Sequence, residues 1–109
     1  MTTDPEPLFA RLVERFKTDG AVTPPTTNAG KFGSAALKVD GKIFAFLSQG
    51  DLVVKLPRDR VAELVDAGTG KPYDARRGKV MKEWVAIAPA QSRRWSRLAA
   101  EARDFVSGR

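Results

Sequence analysis

Lys31-Phe32-Gly33-Ser34-Ala35-Ala36-Leu37-Lys38-Val39-Asp40-Gly41-Lys42-Ile43-Phe44-Ala45-Phe46-Leu47 carries the strongest structural signal in the chain. Asp40-Gly41 sits between two apolar runs. An Asp-Gly pair in that setting supplies the two positive-φ residues of a tight hairpin turn. The next strand follows closely. Gln49-Gly50 makes a second turn, and Leu52, Val54 and Leu56 alternate with Val53 and Lys55. A three-strand meander over 34–56 is expected. Its middle run, Ile43-Phe44-Ala45-Phe46-Leu47, is apolar on both faces, as in a central strand. Lys38 and Lys55 point outward, so the flanking strands show one face to water.

Helical periodicity brackets this meander. A first helix is expected over 4–18, with Asp4 as cap and Pro5 at the first position, where no amide hydrogen is needed. Leu8, Phe9, Leu12, Val13 and Phe16 recur at three- and four-residue spacing and form one apolar stripe. Asp19-Gly20 ends the helix. Ala21 to Gly30, with Pro24-Pro25, reads as a connecting loop. Pro57 opens a second helix over 57–67, with Val61, Leu64 and Val65 inward and Gly68 as its stop. Thr69 to Lys79, rich in glycine and proline, reads as a loop. Lys82 to Ala88 reads as a fourth strand that Pro89 breaks. The last helix is expected over 90–106. Trp95, Leu98, Ala99, Ala102, Phe105 and Val106 lie on its apolar face, with Arg93, Arg94, Arg97, Glu101 and Asp104 opposite. The expected fold is α+β: one domain over 1–109, in which about three helices pack on an antiparallel sheet.

Composition narrows the chemistry. The chain has 109 residues, 42% of them hydrophobic and 29% charged, which fits one globular domain. Cysteine is absent, which removes disulfides, thiolate nucleophiles and cysteine-ligated metals and suits a cytoplasmic location. Histidine is absent too, and with it the commonest general base near neutral pH and the commonest metal ligand. No apolar run approaches a membrane span, and the first residues lack the pattern of a signal peptide. No catalytic residue, metal or cofactor is expected. Glu83, Asp51, Asp40 and Asp74 form no paired-carboxylate arrangement. Gly68-Thr69-Gly70-Lys71 follows a helix instead of a strand and lacks the spacing of a phosphate-binding loop.

The net charge of +6 is uneven. Residues 1–56 hold 7 basic and 6 acidic side chains, whereas residues 57–109 hold 12 and 7. The basic set Arg76, Arg77, Lys79, Arg93, Arg94 and Arg97 is the candidate surface for nucleic acid or another partner, provided that loop and helix converge. The competing expectation is a solvated helix with internal ion pairs, Glu101 lying four residues after Arg97. Trp84 is the candidate interaction anchor, since alternation puts Lys82, Trp84 and Ala86 on one face and Glu83, Val85 and Ile87 on the other. A Trp84 packed beneath a helix is the structural alternative.

Four segments together resemble the TfoX N-terminal domain family: Lys31-Phe32-Gly33-Ser34, then Leu37 to Ala45, then Val53-Val54-Lys55-Leu56-Pro57, then Gly78-Lys79-Val80-Met81-Lys82-Glu83-Trp84-Val85. The first is similar to that family's Met-Phe-Gly-Gly motif, with Lys31 in place of methionine and Ser34 in place of the second glycine. The resemblance spans about residues 5–107. It implies an α+β domain with YjbR/MmcQ-like architecture and a link to competence-gene regulation in bacteria. Full-length members carry a second, C-terminal domain, and the resemblance covers only the N-terminal kind, so only that domain is expected here. The resemblance transfers no catalytic residues. A non-enzymatic regulatory or protein-interaction module follows as the leading expectation, its partner an unknown protein or a second copy of itself joined through a sheet edge or Trp84. Nucleic-acid binding through the basic second half is the alternative, and a small enzyme built around Glu83 a third.

Overall fold

The computed structural model of the protein describes residues 5–23, 36–48, 50–76 and 79–108, with the backbone alone for 74–76 and 79–82. Within these lie helices α1 (Pro5–Arg15), α2 (Arg58–Asp66) and α3 (Trp95–Val106), a 3-10 helix over Pro89–Arg94, and strands β1 (Val22–Thr23), β2 (Ala36–Val39), β3 (Lys42–Ser48), β4 (Asp51–Lys55), β5 (Lys71–Arg76) and β6 (Lys79–Ile87). The strands form one six-stranded sheet in the order β1-β2-β3-β4-β6-β5. Every neighbouring pair is antiparallel. The α+β architecture expected from the sequence is therefore present, with the meander as its centre.

Asp40 and Gly41 adopt φ of 53° and 80°, as the hairpin required. Close to this turn the β2–β3 ladder slips: Leu37 pairs with Ala45, but Lys38 pairs with Ile43. A bulge places two residues opposite one and breaks strict alternation. Phe44 and Ala45 consequently both enter the core, each fully buried. The residue before them, Ile43, is left 41% exposed.

Cross-strand register divides the sheet into two unlike faces. Leu37, Ala45, Val54 and Val85 form one row across four strands, and Leu47, Leu52 and Ile87 form another. All three helices supply the other half of this core, through Phe9 and Leu12, Val61 and Leu64, and Leu98, Ala99 and Ala102. Burying each large side chain contributes about 1.5–3 kcal/mol, so this face accounts for most of the stability. The opposite face carries the row Ala36, Phe46, Val53, Ala86 and Lys71. Among the described residues no helix contributes to that side. Its order comes from side chains on the sheet itself. Phe46 meets Tyr73 and Trp84 edge to face, with centroids 5.7 and 5.5 Å apart, and Lys71 pairs with Asp51 at 3.0 Å. Val53 and Ala86 are buried beneath them.

Several expectations need correction. The region read as a loop over Thr69 to Lys79 contains β5, and β6 begins at Lys79 instead of Lys82. Pro72 is tolerated because β5 is an edge strand, where a missing amide donor breaks no interior ladder. The sheet gains a further edge from Val22-Thr23, within the segment read as a loop. The first helix ends at Arg15, and a turn carries Phe16 onto Phe44, with ring centroids 5.4 Å apart. The helix expected over 90–106 is two elements, 3-10 up to Arg94 and α from Trp95. Asp4, residues 24–35, Gln49, Arg77 and Gly78 lie outside the described residues, and with them the cap expected at Asp4 and the Lys31-Phe32-Gly33-Ser34 motif.

Candidate nucleic-acid interface

Arg93, Arg94 and Arg97 owe their placement to the break after β6. Ala88 is extended (φ −67°, ψ 155°) and Pro89 starts the 3-10 turn. Gln91 donates its amide to the Ala88 carbonyl at 2.9 Å, and the Trp95 indole donates Nε1–H to the same oxygen at 3.2 Å. One carbonyl thus anchors both the turn and the aromatic ring that follows it. Trp95 is 2% exposed, which fixes the roll of the chain and leaves Arg93, Arg94 and Arg97 outside. Together with Arg60, Leu64 and Leu98 they line a groove of 350 Å³ between α2 and α3.

The carboxylates closest to this surface are committed elsewhere. Glu101, expected to pair with Arg97, instead takes a fork from Arg60: Nε donates to Oε1 at 2.9 Å and Nη2 to Oε2 at 3.0 Å. Arg60 also donates Nη1–H to Glu63 at 3.1 Å. The Glu101 and Glu63 hydrogen bonds hold the Arg60 guanidinium even more firmly protonated than usual, against a smaller opposing effect of burial. Asp104, the other acid on that face, accepts from Arg103 Nη1 at 3.1 Å. Arg103 in turn clasps Asp19 at 2.8 and 3.2 Å, and its pKa is also raised, chiefly by Asp19. Among the described residues no ion pair engages Arg93, Arg94 or Arg97. The expectation of an internally neutralised helix face is therefore corrected at Arg97. Guanidiniums left without a counter-charge suit phosphate oxygens, which their planar fork can engage two at a time.

Arg76 and Lys79, also in the basic set, lie apart. Lys79 opens β6 and pairs with Arg76 at the end of β5, whereas the 3-10 helix follows the other end of β6. Nine residues make up the strand, roughly 25–30 Å of extended chain at about 3.3 Å per residue. Arg76 and Lys79 therefore do not join the arginines of the 3-10 helix and α3 in one cluster. Arg77 lies outside the described residues.

Trp84 lies on the helix-free face, half-buried, against Phe46 and with Lys55 Nζ 5.6 Å from its ring centroid. Among the described residues no helix covers it. Glu83 is exposed, faces Lys55 at 4.0 Å, and lines neither described groove. Among the described residues no helix is long and apolar enough to cross a membrane.

Sequence reasoning missed Arg60, Arg11 and Arg15. The last two lie four residues apart on the polar side of the α1 stripe, a signal that periodicity offered, and they line a second groove with Arg93. Arg60 had no such signal, because its partner is 41 residues away.

No protein-family model, no curated protein and no solved structure matches the chain.

Proposed function

We propose that the protein is a non-enzymatic regulatory module of the cytoplasm that binds nucleic acid through the face carrying Arg93, Arg94 and Arg97. The observation that supports this reading is the absence of any described counter-charge at these guanidiniums, while the nearby acids Glu101 and Asp104 are held by Arg60 and Arg103. Such contacts grip phosphates and position a nucleic acid without reading its bases. The resemblance to the TfoX N-terminal domain supports the regulatory part, with competence genes as the expected setting. The chain's lack of histidine and cysteine supports a binding role over a catalytic one. The test is a gel shift with duplex DNA across a salt series, in which binding weakens steeply as salt rises. Binding that is indifferent to salt, or none at low salt, rejects the proposal.

A second reading, self-association, draws on the helix-free sheet face. Phe46, Tyr73 and Trp84 form a half-buried aromatic ridge there, and Lys55, Lys71 and Asp51 bring both charge signs to the same face. A patch with both signs suits a two-fold contact with its own copy. Sedimentation equilibrium checks this: the reading requires a dimer that Trp84→Ala weakens, and a strict monomer excludes it.

A further inference from the structure

The arginine surface does not end at α3. A groove of 490 Å³ runs between α1 and the 3-10 helix, with Arg11 and Arg15 on one bank and Arg93 on the other. Its floor is apolar, made of Leu12 and Trp95, which are 3% and 2% exposed. Ser92 adds a hydroxyl to its wall. Arg93 lines this groove and the one between α2 and α3, so the two adjoin at a single side chain. Arg11 and Arg15 are exposed, and a four-residue spacing puts them on one side of the helix, about 5–6 Å apart at Cβ. Among the described residues neither takes part in an ion pair. Glu14, the acid nearest to them in sequence, is held by Lys17 at 3.0 Å.

Five guanidiniums with no ion pair among the described residues, from two helices and a 3-10 turn, repel one another, a cost that a row of anions removes. The chemistry of the grooves discriminates between candidate polyanions. Single strands are held by bases stacked on open aromatic rings as well as by phosphates. Among the described residues Trp95 is the one aromatic lining these grooves, and it is buried with its indole N–H committed to Ala88. Phe46, Tyr73 and Trp84 lie on the other face of the sheet. Among the described residues, bases therefore find no open aromatic platform in the lining of either groove. A duplex needs none, and it offers one phosphate charge per about 1.7 Å of axis.

We infer that α1 belongs to the binding surface through Arg11 and Arg15, and that the occupant of the two adjoining grooves is a nucleic-acid duplex held by its phosphates. This rests on the nucleic-acid reading above and goes further in naming the second helix and the form of the ligand. The test is fluorescence anisotropy on the full chain with one labelled duplex of about two helical turns and one of its single strands, over a salt series. Four proteins are compared: the unaltered chain, R11A/R15A, R93A/R94A/R97A, and K38A/K42A, which loses two exposed charges from the β2–β3 hairpin.

The duplex is expected to bind more tightly than the strand. R11A/R15A should flatten the slope of log K against log salt by about 1.8, at about 0.9 per phosphate contact, with K38A/K42A unchanged. Arg11 and Arg15 take part in no described ion pair, so circular dichroism should show R11A/R15A folded; R11K/R15K retains the slope if charge is what matters. If R11A/R15A and K38A/K42A behave alike while R93A/R94A/R97A loses affinity, the inference falls and the proposed function stands. A preference for the single strand also overturns the inference alone. Failure to bind either form, or tighter binding of poly-glutamate than of duplex, overturns both.

Discussion

Gly70 and Gly41 separate two reasons for glycine. At Gly41 a Cβ would meet nothing within 4 Å, yet φ is +80°. Gly41→Ala should therefore cost about 1 kcal/mol from backbone strain alone. At Gly70 a Cβ would lie 2.5 Å from Val85 Cγ2 and 3.0 Å from Ile87 Cδ1, and both side chains are fully buried. Because neither can yield, Gly70→Ala should cost about 1–3 kcal/mol by overpacking. Urea midpoints at constant m value check the pair, and a loss at Gly70 well below about 1 kcal/mol would contradict the packing assigned there. The contrast also shows what one sequence can reveal. Asp40-Gly41 was legible because its cause is local. The need for Gly70 was not, because its neighbours arrive 15 and 17 residues later in the chain. The same holds for Arg60 and Glu101: no periodicity links 60 to 101, and only the packing of α2 beside α3 brings them together.

Among the elements, those with strong periodicity are legible in the sequence. The α1 stripe, the α2 helix with Pro57 before it and Gly68 after it, β3, and the apolar face of α3 through Trp95, Leu98, Ala99, Ala102 and Val106 stand where the sequence put them, whereas Phe105, expected on that face, is only half-buried and is not among the core residues. Edges are not. β1 has two residues, too few to show alternation, and β5 carries a proline that edge pairing tolerates but propensity does not. The split of the last helix is hidden because the 3-10 segment Pro89–Arg94 buries no side chain, so no periodicity marks it off from the α-helix that follows. The clasp of α2 on α3 gives a prediction at this scale. Glu101→Gln removes the acceptor charge from Arg60 and should cost about 1 kcal/mol or less, as half-exposed pairs do. It should also tighten duplex binding, since it removes a negative charge paired with a guanidinium that lines the groove. Thermal melting and anisotropy measure the two effects. A variant that melts as before and binds duplex no better would detach Arg60 from the interface.

For the whole molecule, the layering decides where chemistry is available. The helices all pack on one sheet face, and their outward sides carry the arginines, whereas the other face is an aromatic ridge covering Val53 and Ala86. The sequence located both features, Trp84 and the basic second half, but could not say that β6 and its neighbour β5 hold Lys79 and Arg76 far from Arg93. That separation depends on the strand's length and on where the chain turns. It predicts that R76A/K79A disturbs duplex binding less than R93A/R94A does, although each pair removes two charges; anisotropy at one salt concentration is enough to rank them. The most direct trial of the arginine face is the slope of log K against log salt for a labelled duplex, measured on the unaltered chain and on R93A/R94A/R97A. Loss of three phosphate contacts should flatten that slope by about 2.7, at about 0.9 per contact, and weaken binding at every salt concentration. An unchanged slope and affinity in the triple variant would contradict it.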